Sequence, residues 1–328
     1  ARSERFTTGD DNDASDEKGA AVLRLILNRL AIALPVLFLT TGLAFLLVSL
    51  IPGDAATVIL GQDATPERIA ALNEELGLDQ PFWVQYGNWV VAAFQGDLGT
   101  SLYTGQAVTE TITQRIWPTF LIALFATIFA ALVGVSLGVW AAVRKGAAAR
   151  TADFISMLGI SLPNYWIALL LIVIVAGSLK WFPSIGYVSP TEDFGEWISH
   201  MVLPVTALAV AGVAIIAKQT HDTVAGALSR DFMRFMQANG IPRRDLIFKH
   251  GLRFSAVPII SAVTGCFVNL FGGTIALEMV FAIPGLGQMV DVATIRKDIA
   301  VIQGAVLAYT LVIVVVLIIS DVLYGALN

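Results

Sequence analysis

The sequence predicts an all-α integral membrane protein with six transmembrane helices. Hydrophobic residues make up 56% of the chain and charged residues only 14%, whereas soluble domains carry about 25% charged residues. Several apolar runs reach the roughly 20 residues that a membrane-spanning helix needs. The basic residues also cluster in alternate connecting segments, which is the pattern of cytoplasmic loops.

Composition divides the chain into four predicted segments. Residues 1–19 are polar and acidic without apolar periodicity, which predicts a disordered tail. Residues 20–51 form the first transmembrane helix, residues 52–116 a polar loop, and residues 117–328 a core domain with five helices. The five core spans are predicted at 117–143, 154–177, 200–217, 256–281 and 299–323.

Two short helices are expected in the loop 52–116. Thr65-Pro66-Glu67 combines an N-cap residue, a proline at the first helical position and an early acid, which predicts a helix that ends at Gly77. A second start at Pro81 precedes a face rich in aromatic residues, made of Phe82, Tyr86, Trp89, Val90, Ala93 and Phe94. This face either lies along the membrane interface or packs on the protein itself.

The distribution of positive charge predicts the orientation. Of the 20 lysines and arginines, 15 fall in one set of alternate segments and 5 in the other. Because basic residues concentrate on the cytoplasmic side, we expect both termini and the loop 218–255 in the cytoplasm. The loop 52–116 is then extracytoplasmic, and the chain crosses the membrane several times.

A charged segment from Asp231 to Pro258 separates two apolar spans. Ser229 is a plausible N-cap for a helix over 230–238 that ends at Asn239-Gly240. Its apolar residues Phe232, Phe235 and Met236 share one face. Such a short helix is marginal in water, so this face should be buried against a partner. The alternative is an amphipathic loop that lies on the inner leaflet.

A basic helix is expected to follow from Pro242 to Phe254. The short helix, the Gly240 hinge, the basic helix and the fifth span would together act as a lever, which passes force from the cytoplasm to the membrane.

Short motifs recur in a fixed order along the chain. Within the charged segment they are Asp231, Phe232, Arg234, Ala238, Gly240, His250, Leu252, Arg253 and Pro258. Elsewhere they are IPGD at 51–54, LGLDQP at 76–81, VQY at 84–86, GDLGTS at 96–101, SLPNYW at 161–166, and Glu278 with VF at 280–281 and PGLG at 284–287. In this order the motifs resemble those of permease subunits of binding-protein-dependent ABC importers in the peptide/nickel branch, whose cytoplasmic loop carries the EAA motif.

The resemblance covers about residues 23–327 and implies the type I ABC importer permease fold. It implies a second homologous permease subunit, two ABC ATPase subunits, an extracytoplasmic solute-binding protein and membrane lipid as partners, and no nucleic acid. ATP and Mg would be bound by the ATPase subunits and no cofactor by this chain. The residues that would dock on the ATPase, as the coupling helix, are Asp231, Phe232, Arg234, Phe235, Met236, Gln237, Ala238, Asn239 and Gly240.

The chain departs from the family pattern at two places. Met236 replaces the first alanine of the family's A-x-A pair, beside Phe235 and Gln237, so the docking face is bulkier and a matching ATPase groove should be wider or more apolar. Asp54 is followed by Ala55 instead of proline.

Polar residues within spans are candidates for the translocation pathway. They are Ser261, Thr264, Asn269 and Glu278. The alternatives are hydrogen bonds between helices for the first three and, for Glu278, pairing with a neighbouring loop or the outer interface. Asp321 is expected to reach the inner interface.

The sequence has no G-x-x-x-x-G-K-[ST] motif for ATP, no catalytic constellation and no metal-ligand spacing. It therefore predicts a transporter subunit that is not itself an enzyme. The resemblance implies di- or oligopeptides as its cargo and a multi-pass location in a bacterial plasma (inner) membrane. Nickel complexes or glutathione remain open as cargo of the same family. An ion-coupled secondary transporter and a membrane-anchored docking protein are the alternatives from other classes.

Overall fold

The computed structural model describes residues 10–50, 55–144, 159 and 162–327, with backbone alone at 10–23, 25, 26, 55, 58, 326 and 327. In these ranges the protein is all-helical, and its single β-bridge joins Thr100 to Ala107. Some of the predicted features lie outside the described residues. They are the tail at 1–9, the motif at 51–54, the loop and the start of the third span at 145–158, and residues 160 and 161.

Thirteen helices are described, and we number them in chain order. They are α1 (Asp10–Ser49), α2 (Ala55–Leu60), α3 (Pro66–Leu76), α4 (Phe82–Phe94), α5 (Val108–Val143), α6 (Asn164–Leu171), α7 (Phe194–Leu228), α8 (Asp231–Ala238), α9 (Arg243–Asp245), α10 (Leu252–Phe254), α11 (Ala256–Phe281), α12 (Leu286–Arg296) and α13 (Ile299–Leu327). A 3-10 turn at Gly61–Asp63 and π-helical turns at Ile172–Ser178 and Leu246–Gly251 extend neighbouring helices.

Five helices in the described ranges are long and apolar enough to cross a membrane. They are Leu27–Ser49 within α1, and α5, α7, α11 and Ile299–Gly325 within α13. The predicted third span appears as a shorter apolar helix at Asn164–Ser178, which begins directly after Pro163. The all-α membrane architecture is confirmed, and the count of six spans agrees approximately.

Helix α1 corrects the disorder predicted for residues 1–19, because it begins at Asp10. Residues 10–19 therefore continue the first transmembrane helix as an extension. The physical reason is that a helix, once formed by the apolar span, extends into adjacent residues at little cost. The composition of residues 10–19 alone does not indicate this.

Two other spans are longer than predicted. Helix α5 begins at Val108 instead of residue 117, because Val108 and Ile112 are buried against α12 and α13. Helix α7 continues to Leu228 instead of residue 217, so the cytoplasmic loop predicted at 218–255 begins only after Leu228. There Thr220 and Val224 are buried.

The centre of the fold is the close contact between α5 and α7. At Gly138 of α5, a Cβ atom would lie 2.6 Å from the carbonyl oxygen of Ala217 and 2.6 Å from Cβ of Thr220. At Gly134 it would lie 2.9 Å from Cβ of Ile216. Small residues let transmembrane helices approach closely, which increases dispersion contact where no hydrophobic force acts between helices.

Helix α1 is attached to α13 by an ion pair. Arg29 Nη2 donates to Asp321 Oδ1 at 2.9 Å, and Nε of the same guanidinium contacts Oδ2. The sequence predicts that Asp321 reaches the inner interface, and the structure adds Arg29 as a long-range partner of its carboxylate. Two-point contact with an arginine is a strong and directional form of pairing.

The two predicted short helices of the outer loop are present. Thr65 accepts a hydrogen bond from the N–H of Arg68 at 3.4 Å, and Gly77 ends α3 with φ of +66°. In α4, the Tyr86 hydroxyl lies 2.9 Å from the carbonyl oxygen of Phe38. The rings of Phe82 and Phe45 also pack at 5.1 Å. The inner side of the aromatic face thus packs on α1, while Trp83 of the same helix is exposed.

Gly138→Ala should destabilise the protein by about 1–3 kcal/mol, because the added methyl group overfills the contact between α5 and α7. The measurement is thermal unfolding of the purified protein in detergent. Gly226→Ala on α7 is the matched control, since no atom lies within 4 Å of a Cβ there. Equal melting temperatures for the two variants would show that the contact is looser than described.

Candidate functional site

The predicted coupling helix is present as α8, with a different start. Its N-cap is Arg230, which makes no side-chain cap. Ser229 was wrongly predicted for that position: its hydroxyl donates to the carbonyl oxygen of Gly226 at 2.8 Å and so belongs to the end of α7. With only two residues between the two helices, the serine satisfies the preceding carbonyl instead of the following N–H groups.

One side of α8 is fixed to the protein by Met233. This side chain is only 2% exposed, and it borders a cavity with Leu246 and Ile247, which are also buried. Sequence reasoning missed Met233, because five of the helix's eight residues are apolar and their spacing does not say which ones face inward. Only the position of the following π-helical turn shows which face of α8 is turned inward.

The opposite side of α8 is presented to solvent. Phe235 is 71% exposed, while Phe232 is half-exposed and packs its ring 5.8 Å from that of Phe254. Met236 is partly buried. Of the three apolar residues predicted to share a face, Phe235 is therefore the one that projects furthest.

The polar docking candidates surround Phe235. Asp231 is fully exposed and lies 3.8 Å from the guanidinium of Arg234. Gln237, Ala238 and Asn239 are exposed as well. The Asn239 side chain donates to the carbonyl oxygen of Phe235 at 2.8 Å and so closes the helix end.

Gly240 provides the turn that ends α8. Its φ of +83° lies in the left-handed region, which glycine adopts without steric cost. The chain then continues through Pro242, α9, the π-helical turn and α10 into α11, and Arg243 donates to the carbonyl oxygen of Val143 at 3.2 Å. The predicted basic helix is thus present in three helical pieces that lead directly to the fifth span.

The pathway candidates on α11 separate into two groups. Thr264 donates to Ser320 of α13 at 2.8 Å, which is a hydrogen bond between helices. Ser261 also contacts α13, through the hydroxyl of Tyr324 at 2.7 Å, but it stays exposed together with Asn269. Gly265 and Gly272 lie on the same exposed face, so α11 presents a stripe of small and polar residues at its surface.

Glu278 is fully buried near the C-terminal end of α11. Its Oε1 accepts a hydrogen bond from the Thr119 hydroxyl at 2.7 Å, and its Oε2 accepts one from the N–H of Gln288 at 3.0 Å. Thr119 in turn accepts from the N–H of Leu286 at 2.8 Å. In this conformation Glu278 therefore fastens the loop after α11 to α5, and it does not lie on the exposed stripe.

The two glycines of the PGLG motif make room for this carboxylate. A Cβ atom at Gly285 would lie 2.3 Å from Cδ of Glu278, and one at Gly287 would lie 2.5 Å from Cα of Ile275. The carboxylate also faces the N-terminal turn of α12, where unpaired N–H groups favour negative charge. This arrangement explains in physical terms why the motif combines an acid with glycines.

The GDLGTS motif lies at the N-terminal end of α13. Gly99 N–H donates to Asp97 at 2.8 Å, and the buried Ser101 hydroxyl donates to the buried Asp298. Nearby, the Arg296 guanidinium lies 3.7 Å from the centre of the Tyr103 ring. The motif therefore joins the outer loop to the connection between α12 and α13.

No group of three or more metal-ligating side chains is present in the ranges that the structure covers.

Comparison with protein families gives two matches that together cover most of the chain. The model described as "Binding-protein-dependent transport system inner membrane component" matches residues 134–328. A model of the N-terminal part of binding-protein-dependent transport system membrane components matches residues 22–123.

Individual relatives match over nearly their whole length. A putative peptide transport system permease protein of Brucella abortus (strain 2308) is 34% identical over 301 residues, which cover 92% of this chain and 96% of the relative. The glutathione transport system permease protein GsiC of Salmonella choleraesuis (strain SC-B67) is 35% identical over 308 residues, covering 94% and 98%.

The fold has a solved counterpart. A chain of the MetNI methionine ABC transporter in an inward-facing conformation superposes with a TM-score of 0.56 and 18% identity, over 66% of this chain and 96% of that one. At this identity the likeness concerns the fold, which is the type I importer permease arrangement.

Glu278→Gln should lower stability by about 1–3 kcal/mol. Both carboxylate oxygens accept hydrogen bonds, so the amide would turn its NH₂ group towards one of two donors. Thermal unfolding and protease cleavage within 282–288 measure the effect. Gln288→Ala is the control, because only the main chain of that residue contacts the carboxylate. Identical behaviour of the two variants would contradict the fastening role.

Proposed function

This chain belongs to the inner-membrane permease subunits of binding-protein-dependent ABC importers, in the peptide/nickel branch, and we propose that it forms one half of a pore that imports short peptides. The observation that carries the proposal is the exposed coupling helix α8, joined without a long loop to a span of the pore. Through this helix, a soluble partner can move the membrane domain.

The complete importer contains four further subunits in this proposal. The family name already requires an ATPase and a solute-binding protein. We propose two ATPase subunits, one solute-binding protein and a second, homologous permease. The exposed stripe of Ser261, Gly265, Asn269 and Gly272 supports the second permease, because small and polar residues are poorly suited to face lipid but well suited to a helix interface or a pore.

ATP and Mg are assigned to the ATPase subunits, and this chain is proposed to bind no cofactor. The lack of a phosphate-binding loop motif in the sequence supports this assignment. The proposed orientation puts α8 on the same side of the membrane as the ATPase subunits. We place both termini and α8 in the cytoplasm and α3 and α4 outside, which agrees with the 15 to 5 distribution of basic residues.

Coupling is proposed to run through Met233 and Phe235 on opposite sides of α8. Phe235 would enter a groove of the ATPase, and Met233 would transmit the movement to the π-helical turn and α11. ATP binding then favours the pore conformation in which the two ATPase subunits are closed, and the pore changes access by a shift between two states.

Short peptides are proposed as the cargo because the relatives are named for peptide and glutathione transport. Nickel complexes remain an alternative within the same branch.

Phe235→Ala should weaken binding of the ATPase subunit by about 30-fold, because an exposed aromatic anchor typically contributes about 2 kcal/mol at such an interface. The measurement is binding of purified ATPase to the tagged permease in detergent. Phe248→Ala is the matched control, since Phe248 is 61% exposed in the same cytoplasmic segment but lies outside α8. Loss of binding in the control alone would remove α8 from the interface.

Gly240→Val should reduce ATP-driven uptake at least tenfold while the protein stays inserted, because a branched residue strains the left-handed turn. Uptake of a labelled dipeptide is measured in proteoliposomes that contain the whole importer, with ATP or with a proton gradient alone. Gly226→Val, at an open helical position, is the control. Uptake driven by the proton gradient would contradict the importer assignment, and normal uptake by Gly240→Val would contradict the coupling.

A further inference from the structure

A cavity of about 700 Å³ lies behind the coupling helix, between α5, α7, α8 and the following π-helical turn. One of its walls is apolar and consists of Ala141, Ala142, Val143, Ala225, Leu228, Met233, Leu246 and Ile247. Its volume is in the range of ligand-binding pockets. The proposed docking on the ATPase uses the other side of α8 and leaves this cavity without an assigned role.

The polar lining of the cavity is basic. Arg144, Arg234 and Arg243 all contribute to it, together with His221, and no carboxylate is among the described lining residues. Asp222 is the nearest acid in sequence to His221, but it is paired with His221 at 3.0 Å and with Lys218 at 3.2 Å. The positive charge of the three arginines is therefore not neutralised from within the cavity.

The arginines are available to a ligand. Arg144 and Arg243 are exposed, and the side chain of Arg234 is 72% exposed, with the Asp231 carboxylate 3.8 Å away. Guanidinium groups match the geometry of phosphate oxygens and bind them through two parallel hydrogen bonds. Three of them around one cavity favour a ligand with a phosphate group.

The position of the cavity adds an apolar requirement. It lies at the ends of α5 and α7, at Val143 and Leu228, which are their cytoplasmic ends in the proposed orientation. A ligand there meets guanidinium groups on one side and an apolar wall on the other. Basic pockets between transmembrane helices at this level are typical sites for the headgroups of anionic lipids.

We propose that this cavity binds the phosphate headgroup of an anionic phospholipid, with an acyl chain against the apolar wall. Because Met233, Arg234 and Gln237 of α8 form part of the lining, the bound lipid would hold the coupling helix against the membrane domain. The proposal concerns this chain alone and does not depend on the nature of the cargo or on the ATPase.

The test measures retention of cardiolipin against phosphatidylcholine by the full chain, by native mass spectrometry after purification in detergent. We expect preferential binding of cardiolipin. The double variant Arg144→Gln with Arg243→Gln should weaken it by about fivefold for each arginine, and so about 25-fold in total. The variant with lysine at both positions keeps the charge and should retain part of the affinity.

Arg244→Gln with Arg253→Gln is the matched control, because it removes the same charge from the same segment at residues that do not line the cavity. Equal loss of cardiolipin binding in the control pair would show that general surface charge causes the effect, and it would overturn the proposed site. Displacement of cardiolipin by millimolar inorganic phosphate would identify a free-phosphate site instead and also overturn the lipid assignment.

The same measurement on the complex with ATPase subunits decides whether the site exists in the working importer. Cardiolipin retained at equal affinity supports the proposal, and its exclusion on assembly overturns it. Circular dichroism and elution volume show whether the double glutamine variant is folded. If it is not, cardiolipin binding by the lysine variant, compared with the unchanged protein, tests the site.

Discussion

The lack of water in the membrane interior governs this structure, because every polar group there needs a partner within the protein. The spans meet that requirement by contacts between helices. Glu278 joins α11 and α12 to Thr119 of α5, Arg29 and Asp321 join α1 to α13, and Thr264 joins α11 to Ser320 of α13. These few polar contacts decide which helices lie together, and the close approach at Gly138 provides the dispersion contact around them.

Helix α8 is under the opposite condition, since one of its sides meets water. An isolated helix of eight residues would be marginal. Met233 stabilises it from the membrane side, Gly240 closes it, and Phe235 stays exposed for the proposed ATPase contact. The basic cavity lies directly behind it, so the same short helix separates the proposed protein interface from the proposed lipid site. Both neighbours would then influence its position.

Sequence patterns predicted local structure well wherever the cause was local. The start of α3 at Thr65-Pro66, its end at Gly77 and the turn at Gly240 follow from side-chain chemistry within a few residues. Errors arose where a distant contact decides. Val108 and Ile112 extend α5 because α12 and α13 cover them, and Ser229 serves α7 instead of α8 because only two residues separate these helices.

The sequence by itself determined the membrane class, the approximate spans, the family resemblance and the presence of a short helix near residues 230–238, because hydropathy, charge and short motifs are properties of adjacent residues. Only the tertiary structure decided that Met233 points inward and Phe235 outward, that Glu278 fastens a loop, and that Arg144 meets Arg243 around one cavity. Those outcomes depend on residues far apart in the chain, whose proximity is set by helix packing and cannot be deduced from spacing along one helix.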